Sequence, residues 1–172
     1  MPTPTLKALT TLLTLAVCTG CQARPPNSVE PVVHFAGLAF TLPAQPMVIA
    51  TANQRADFLV VKYSTEPGRD YVAFSQEARI DNSCPSEAFF QAVLKPAQNT
   101  TCDHQAVAIF TQQFAHKYPA QHWFSAEHNA YYFQTDDQRK FVFIPLSADK
   151  LLKIDSDFLS EQQLRSLLGG SD

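Results

Sequence analysis

The sequence has 172 residues, of which 45% are hydrophobic and 17% are charged. This length and composition fit one globular domain with a full hydrophobic core, and the low charge content excludes an intrinsically disordered chain. The formal net charge of −3 excludes a general electrostatic attraction to nucleic acid or to an anionic membrane surface. After the N-terminus, no segment reaches the roughly 18 apolar residues that a transmembrane helix requires.

The N-terminus has the composition of an export signal. Residues 1–7 carry one positive charge, at Lys7, and residues 8–17 form an apolar run that is too short to span a membrane. Gly20 and Cys21 follow shortly after this run. A charge, an apolar stretch and a small residue before a cysteine therefore occur in that order.

Residues 1–21 resemble the signal peptides of bacterial lipoproteins, in which this cysteine receives a diacylglycerol and becomes the first residue of the mature chain. The resemblance implies that residues 1–20 are a signal peptide, that Cys21 is the lipidation site and that the protein contacts the membrane through this anchor. Gln22, where an aspartate would retain the protein in the inner membrane, favours the outer membrane. Residues 21–33, with three prolines, are predicted to be a tether.

Two other interpretations of the same segment stay open. An ordinary secretory signal would be cleaved after Ala23. A C-x-x-C redox or zinc site formed by Cys18 and Cys21 would need a strand followed by a helix, and residues 15–26 show no such pattern. The lipoprotein signal and the ordinary secretory signal both imply an exported protein, whereas the C-x-x-C site does not.

Residues 34–172 are predicted to form a single α+β domain. Apolar periodicity and turn residues predict strands at 34–42, 47–51, 58–64 and 71–75, helices at 83–95 and 102–118, strands at 129–134, 140–146 and 151–154, and a helix at 161–168. The first strands lie at hairpin spacing, which favours antiparallel pairing. Thr101 is predicted to cap the second helix, and Ser160 and Gln163 are predicted to form a capping box at the last helix. The predicted order is β-β-β(β)-α-α-β-β-β-α, a largely antiparallel sheet covered by helices.

The opening strand contains Phe40-Thr41-Leu42-Pro43, and a helix follows the last strand. With this element order, the domain resembles the Mog1/PsbP-like α/β/α sandwiches, a group that includes small bacterial envelope lipoproteins. The resemblance implies a layered fold. Because members of the group have unrelated roles, it implies no particular activity.

Cys84 and Cys102 are the two cysteines of the predicted domain, each near the first turn of a central helix. In an exported protein we expect them to form a disulfide, which would close a loop of 18 residues and contribute about 3 kcal/mol to stability. The alternative is a reactive thiol, because a helix N-terminus lowers a thiol pKa and His104 lies two residues from Cys102.

Other polar residues give no recognisable metal site. Three histidines are spaced by six residues, namely His116, His122 and His128. This spacing is neither the i, i+4 pair of a helical site nor that of a zinc finger. The acidic pairs Asp136-Asp137 and Asp155/Asp157 lack calcium-loop spacing, and the first is typical of a hairpin turn. We therefore predict no metal and no cofactor.

The aromatic residues between 123 and 133 allow two interpretations. On a strand, Tyr131 and Phe133 would lie on one face and Tyr132 on the other. A sheet covered on both faces would bury them all as core. Alternatively, Trp123, Phe124 and Tyr132 form a surface for a partner.

The sequence predicts an envelope lipoprotein with a non-catalytic binding or accessory role at the periplasmic face of a membrane, with an unidentified envelope protein and not nucleic acid as its partner. One alternative is a small periplasmic hydrolase that uses Asp103, His104 and Ser125, although the G-x-S-x-G motif is absent. Another is an immunity-type protein that neutralises a toxin, which the fold resemblance allows.

Overall fold

A seven-stranded antiparallel sheet forms the centre of the molecule. The computed structural model describes residues 30–43, 45–51, 57–81, 83–125 and 128–169. In chain order, the elements are β1 (Val32–Phe35), β2 (Leu38–Thr41), β3 (Val48–Thr51), β4 (Phe58–Lys62), β5 (Tyr71–Ala78), α1 (Ser86–Leu94), a 3-10 turn (Pro96–Gln98), α2 (His104–Phe114), β6 (Gln121–Ser125), β7 (His128–Gln134), β8 (Lys140–Pro145), β9 (Lys150–Ser156) and α3 (Glu161–Leu167). The predicted α+β class and its broad element order are confirmed.

The large sheet consists of two meanders. Its strand order is β3-β4-β5-β9-β8-β7-β6. We call β3–β5 the N-terminal meander and β6–β9 the C-terminal meander. They join where β5 pairs with β9, from Val72↔Ser156 to Ala78↔Lys150, and we call this junction the seam. The last strand in the chain therefore lies at the centre of the sheet.

The predicted strand at 34–42 is wrong in one respect, because the chain folds there into a two-stranded hairpin of β1 and β2. Ala36 and Gly37 form the turn, with φ of 52° and 83°. Two consecutive positive φ values are those of a type I′ turn, whose twist matches that of the strands it joins. After the turn, Phe40 is buried, and its ring centroid lies 4.9 Å from that of Phe74 on the sheet.

One face of the sheet is covered by this hairpin and by α3. The buried cluster on this face takes residues from all strands between β4 and β9, among them Val61, Phe74 and Ile154. The predicted capping box of α3 is confirmed, since Ser160 Oγ accepts from the Gln163 N–H and the Gln163 side chain accepts from the Ser160 N–H. A capping box satisfies two N–H groups that the helix itself leaves unpaired.

The opposite face is covered by α1 and α2. Their buried cluster takes its sheet residues from β7, β8 and β9 and is rich in aromatic rings: Phe89, Phe90, Phe110, Tyr131, Phe133, Phe141 and Phe143. The N-cap of α2 is Asp103 rather than the expected Thr101, because Asp103 Oδ1 accepts from the N–H groups of Gln105 and Ala106 at 2.7 and 2.9 Å. None of the helices in the described ranges is long and apolar enough to cross a membrane.

The sequence also failed to predict β6, an edge strand that pairs only with β7 among the described residues. Its position shows that the predicted partner surface of Trp123, Phe124 and Tyr132 is accessible only in part. Trp123 and Tyr132 are buried and stack at a centroid distance of 4.7 Å, because both point towards the hairpin side of the sheet. Phe124 points the other way and is 72% exposed, so it alone of the three residues is available to a partner.

Candidate binding groove

The helical layer ends at the seam. On β9, Leu151 is fully buried beneath the helices, whereas Lys153 and Asp155 follow on the same face and retain 28% and 13% side-chain exposure. On β4 and β5, the buried residues Leu59, Val61, Val72 and Phe74 face the hairpin, and the residues on the opposite face are only half-buried. Since successive side chains of a strand alternate between faces, the N-terminal meander lacks a described cover on its helix-side face.

A groove lies where α2 stops short of this uncovered face. Its volume is about 520 Å³. One wall is the C-terminal end of α2 with His116, the second is the β7–β8 turn with Asp136 and Asp137, and the third is the sheet with Lys153 and Asp155. A second depression, of about 530 Å³, continues from it around the side chains of Asp137 and Arg139, which line both. We call the two together the charged groove.

Arg139 is the central cation of the charged groove. Its Nη2 donates to Asp155 Oδ2, and its guanidinium carbon lies 5.0 Å from the ring centroid of Phe141. Tyr71, on the other side of the seam, donates from its hydroxyl to Asp155 Oδ1 at 3.1 Å. The guanidinium is therefore held by a carboxylate on one side and by an aromatic face on the other, which restricts its rotamers.

Further polar contacts cross the seam on the same face. Lys153 of β9 pairs with Glu77 of β5. Beyond the end of β9, the two carboxylate oxygens of Asp157 accept from the N–H groups of Asp70 and Tyr71, both at 3.0 Å. These contacts position the charged side chains without any ligand, so that little side-chain entropy remains to be lost on binding.

The turn wall is acidic. Asp137 accepts from Thr135 Oγ1, and this hydrogen bond lowers the pKa of the Asp137 carboxyl, so it is ionised at neutral pH. Asp136 is 63% exposed and lies 3.9 Å from His116 Nδ1. The last turn of α2 contains no basic residue. The partial negative charge of the helix C-terminus therefore adds to that of the two aspartates.

Burial affects the titration of the seam residues. It raises the pKa of the Asp155 carboxyl, and the neighbouring Arg139 and Tyr71 offset only part of this effect. Burial also raises the pKa of Tyr71, and the charge of Asp155 adds to the rise. Burial favours the neutral form of each group, so a carboxylate here depends on its partners for its charge. The arrangement is suited to holding charged ligand groups at fixed positions.

The predicted disulfide between Cys84 and Cys102 is confirmed. The sulfur atoms are 2.13 Å apart and the Cα atoms 5.1 Å. Asp81 lies beside this pair and accepts from the N–H groups of Ser83 and Asp103. Burial alone would raise the pKa of Asp81, but these hydrogen bonds outweigh it and lower the pKa. Asp81 and the disulfide together tie the starts of α1 and α2 to each other.

The structure describes the side chains of two of the three residues of the alternative hydrolase hypothesis. The Asp103 carboxylate is engaged in capping α2, and His104 is exposed at the start of that helix. The side chain of Ser125 lies outside what the structure describes, as do Cys21 and the whole of residues 1–29. The hypotheses of a hydrolase and of a lipid anchor therefore remain predictions.

The histidines are not brought together. His116 lines the charged groove, and His122 stacks on Tyr131 at 5.1 Å on the helix side of the sheet. His128 lines an apolar depression on the hairpin side. Of the two acidic pairs, Asp136-Asp137 forms the predicted hairpin turn, and Asp155 and Asp157 lie at the seam.

Sequence analysis missed Arg139, Tyr71 and Lys153 as components of a site. One signal was present. In β9, alternate positions change from Leu151 to Lys153 and Asp155, while Leu152 and Ile154 stay apolar. Such a change in one face of a strand indicates that the cover over that face ends.

Neither a protein-family model, nor a curated protein, nor a solved structure matches this chain. Conclusions about function therefore depend on the charged groove and on the sequence itself.

Proposed function

We propose that this chain is a lipid-anchored, non-catalytic binding protein of the bacterial envelope, and that the charged groove is its binding surface. The observation that carries the binding role is a groove of positioned ion pairs at the seam, where the helical layer ends. Concave sites with a few convergent polar groups are the usual places for ligands. The resemblance of residues 1–21 to lipoprotein signals supports the anchor, and the Cys84–Cys102 disulfide is typical of oxidising compartments.

The arrangement of the groove favours recognition over catalysis. Arg139 and Lys153 are each paired with a carboxylate, Asp155 and Glu77 respectively. Paired and hydrogen-bonded groups hold their charge and position, which suits binding, whereas a general acid or base needs a pKa close to the working pH. Burial raises the pKa of Asp155, and Arg139, Tyr71 and Lys153 oppose this rise because they favour the carboxylate.

The anchor is tested by intact-mass analysis of protein extracted from membranes. We expect an acylated chain that starts at Cys21, and we expect a Cys21→Ser variant to lose both the acyl mass and the membrane association. A soluble chain that starts at Arg24 would contradict the anchor and leave ordinary secretion as the explanation.

The binding role is tested by photo-crosslinking in cells. Gln112, which lines the groove, is replaced by p-benzoylphenylalanine, and Gln105, exposed on the same helix outside the groove, is the matched control. We expect a discrete adduct from position 112 that is absent from position 105 and is lost when Arg139→Ala is added. Equal labelling from both positions, or labelling that is unchanged by Arg139→Ala, would contradict a binding role for the groove.

A further inference from the structure

We infer that the charged groove takes a ligand that carries both a carboxylate and an ammonium group, as free amino acids and short peptides do. This inference rests on the binding role proposed above and adds the chemical class of the ligand. It follows from the cationic and acidic side chains that line the groove together and from the aromatic rings beside them.

The carboxylate would bind at Arg139. Asp155 fixes this guanidinium through Nη2, and the side chain is still 41% exposed in the groove. Its exposed part lines both depressions of the charged groove, whereas its Nε is buried. A planar guanidinium with N–H groups to spare is the side chain best matched to a carboxylate. Lys153, which also lines the groove, is already paired with Glu77, so Arg139 is the main cation for a ligand carboxylate.

The ammonium group would bind at Asp136, which is exposed and lies 3.9 Å from His116 Nδ1. The C-terminal end of α2 has no basic residue in its last turn and adds the partial negative charge of its carbonyl groups on this side of the groove. A ligand with both charges is attracted at Asp136 and at Arg139.

The floor and the volume restrict the ligand further. Phe114 and Phe141 line the groove between the charged walls and would contact an apolar side chain. The volume of about 520 Å³ accommodates a ligand of a few residues. An extended tripeptide spans about 10 Å, so its two terminal charges are well separated.

The test uses three probes with the mature chain in solution: the tripeptide Ala-Leu-Ala, its C-terminal amide and its N-acetyl form. Binding is measured by titration calorimetry, and amide chemical shifts locate the site. We expect Ala-Leu-Ala to bind in the groove, and we expect each capped form to bind about tenfold more weakly, because each loses one charge-assisted contact. L-leucine, a zwitterion with a short charge separation, distinguishes an amino acid ligand from a peptide.

A double-mutant cycle assigns the contacts to walls. In Arg139→Lys, which keeps the charge but not the planar fork, amidation should cost less affinity than in the unaltered protein. In Asp136→Asn, acetylation should have little effect, whereas amidation should keep its full effect. Arg79→Lys, at a residue that does not line the groove, is the control and should bind all three probes as the unaltered protein does.

Two results would overturn the inference. One is equal affinity for the free and capped tripeptides. The other is the absence of chemical-shift changes at groove residues with both Ala-Leu-Ala and L-leucine at about 10 mM, a concentration that detects millimolar binding. If the crosslink at position 112 still depends on Arg139, such results reject the zwitterion and leave the binding role intact. If that crosslink also fails, the binding role itself is rejected.

Discussion

The two meanders of the central sheet differ in how they are covered. The C-terminal meander has α1 and α2 on one face and the hairpin with α3 on the other. The N-terminal meander shares the hairpin-side core but has only half-buried or exposed residues on its helix-side face. The change occurs within a single strand, between Leu151 and Lys153. A groove therefore forms where the layer of α1 and α2 ends over the sheet, and no long insertion is needed to build it.

The largest expected effect tests the covered meander. Phe90→Ala removes a fully buried ring that stacks on Tyr131 at 4.8 Å, so we expect the free energy of unfolding to fall by about 3–5 kcal/mol. Urea denaturation measures this change. The comparison is Val60→Ala on the uncovered face of the N-terminal meander, at a half-buried position, where we expect a loss of about 1 kcal/mol or less. Equal losses would contradict the difference between the meanders.

The second effect concerns the covered face alone. The double variant Cys84→Ser/Cys102→Ser should lose about 3 kcal/mol of stability, because a cross-link over 18 residues no longer restricts the unfolded chain. Thermal or urea unfolding with and without a reductant checks this. The reductant should destabilise the unaltered protein to the level of the variant and leave the variant unchanged. Normal stability in the variant would show that the disulfide does not support the fold.

A smaller effect is expected at the seam. Arg139→Ala leaves the Asp155 carboxylate without its main partner, and we expect a loss of roughly 1–2 kcal/mol at pH 7. In the same variant, NMR titration should show a further rise in the pKa of Asp155. Arg79→Ala, in the more exposed pair with Asp149, is the control and should cost below about 1 kcal/mol. An unchanged Asp155 titration would mean that Arg139 does not stabilise its charge.

The smallest expected effect is on how stability changes with pH, and Asp81 and Asp155 act in opposite directions. Asp81 has a lowered pKa in the folded protein, so its stabilisation is present at neutral pH and is lost as the pH falls below about 4. Asp155 has a raised pKa, so its contribution is present at low pH and is lost as the pH rises through its folded pKa. The free energy of unfolding should therefore fall less between pH 7 and pH 3 in Asp81→Asn than in the unaltered protein. It should fall more in Asp155→Asn. The opposite order would contradict both assignments.

Features that depend on neighbouring residues could be predicted from the sequence. The capping box of Ser160 and Gln163 was predicted, because its two partners lie three residues apart. The pairing of Cys84 with Cys102 was predicted, because the domain contains only these two cysteines. The fold class followed from the change of apolar period along the chain.

Features that depend on a distant partner could not be predicted. In β6, the residues QHWFS show no clear alternation, and this strand is defined by its pairing with β7. The hairpin was missed because Ala36-Gly37 is a weaker turn signal than Asn-Gly. The groove was missed because Tyr71 and Asp155 are 84 residues apart and meet only through the seam register.

The position of β9 has a consequence for how the chain reaches its folded state. Each meander is built from neighbours in the sequence, but the seam joins residues about 80 positions apart. Contacts of such long range form slowly, because the intervening chain must first lose its freedom. Until residues 150–156 have been synthesised, β5 and β8 each expose an unpaired strand edge, which is prone to aggregation. The sheet is therefore completed in one late step, on the arrival of its central strand, and an incomplete chain is the form that most needs protection by a chaperone.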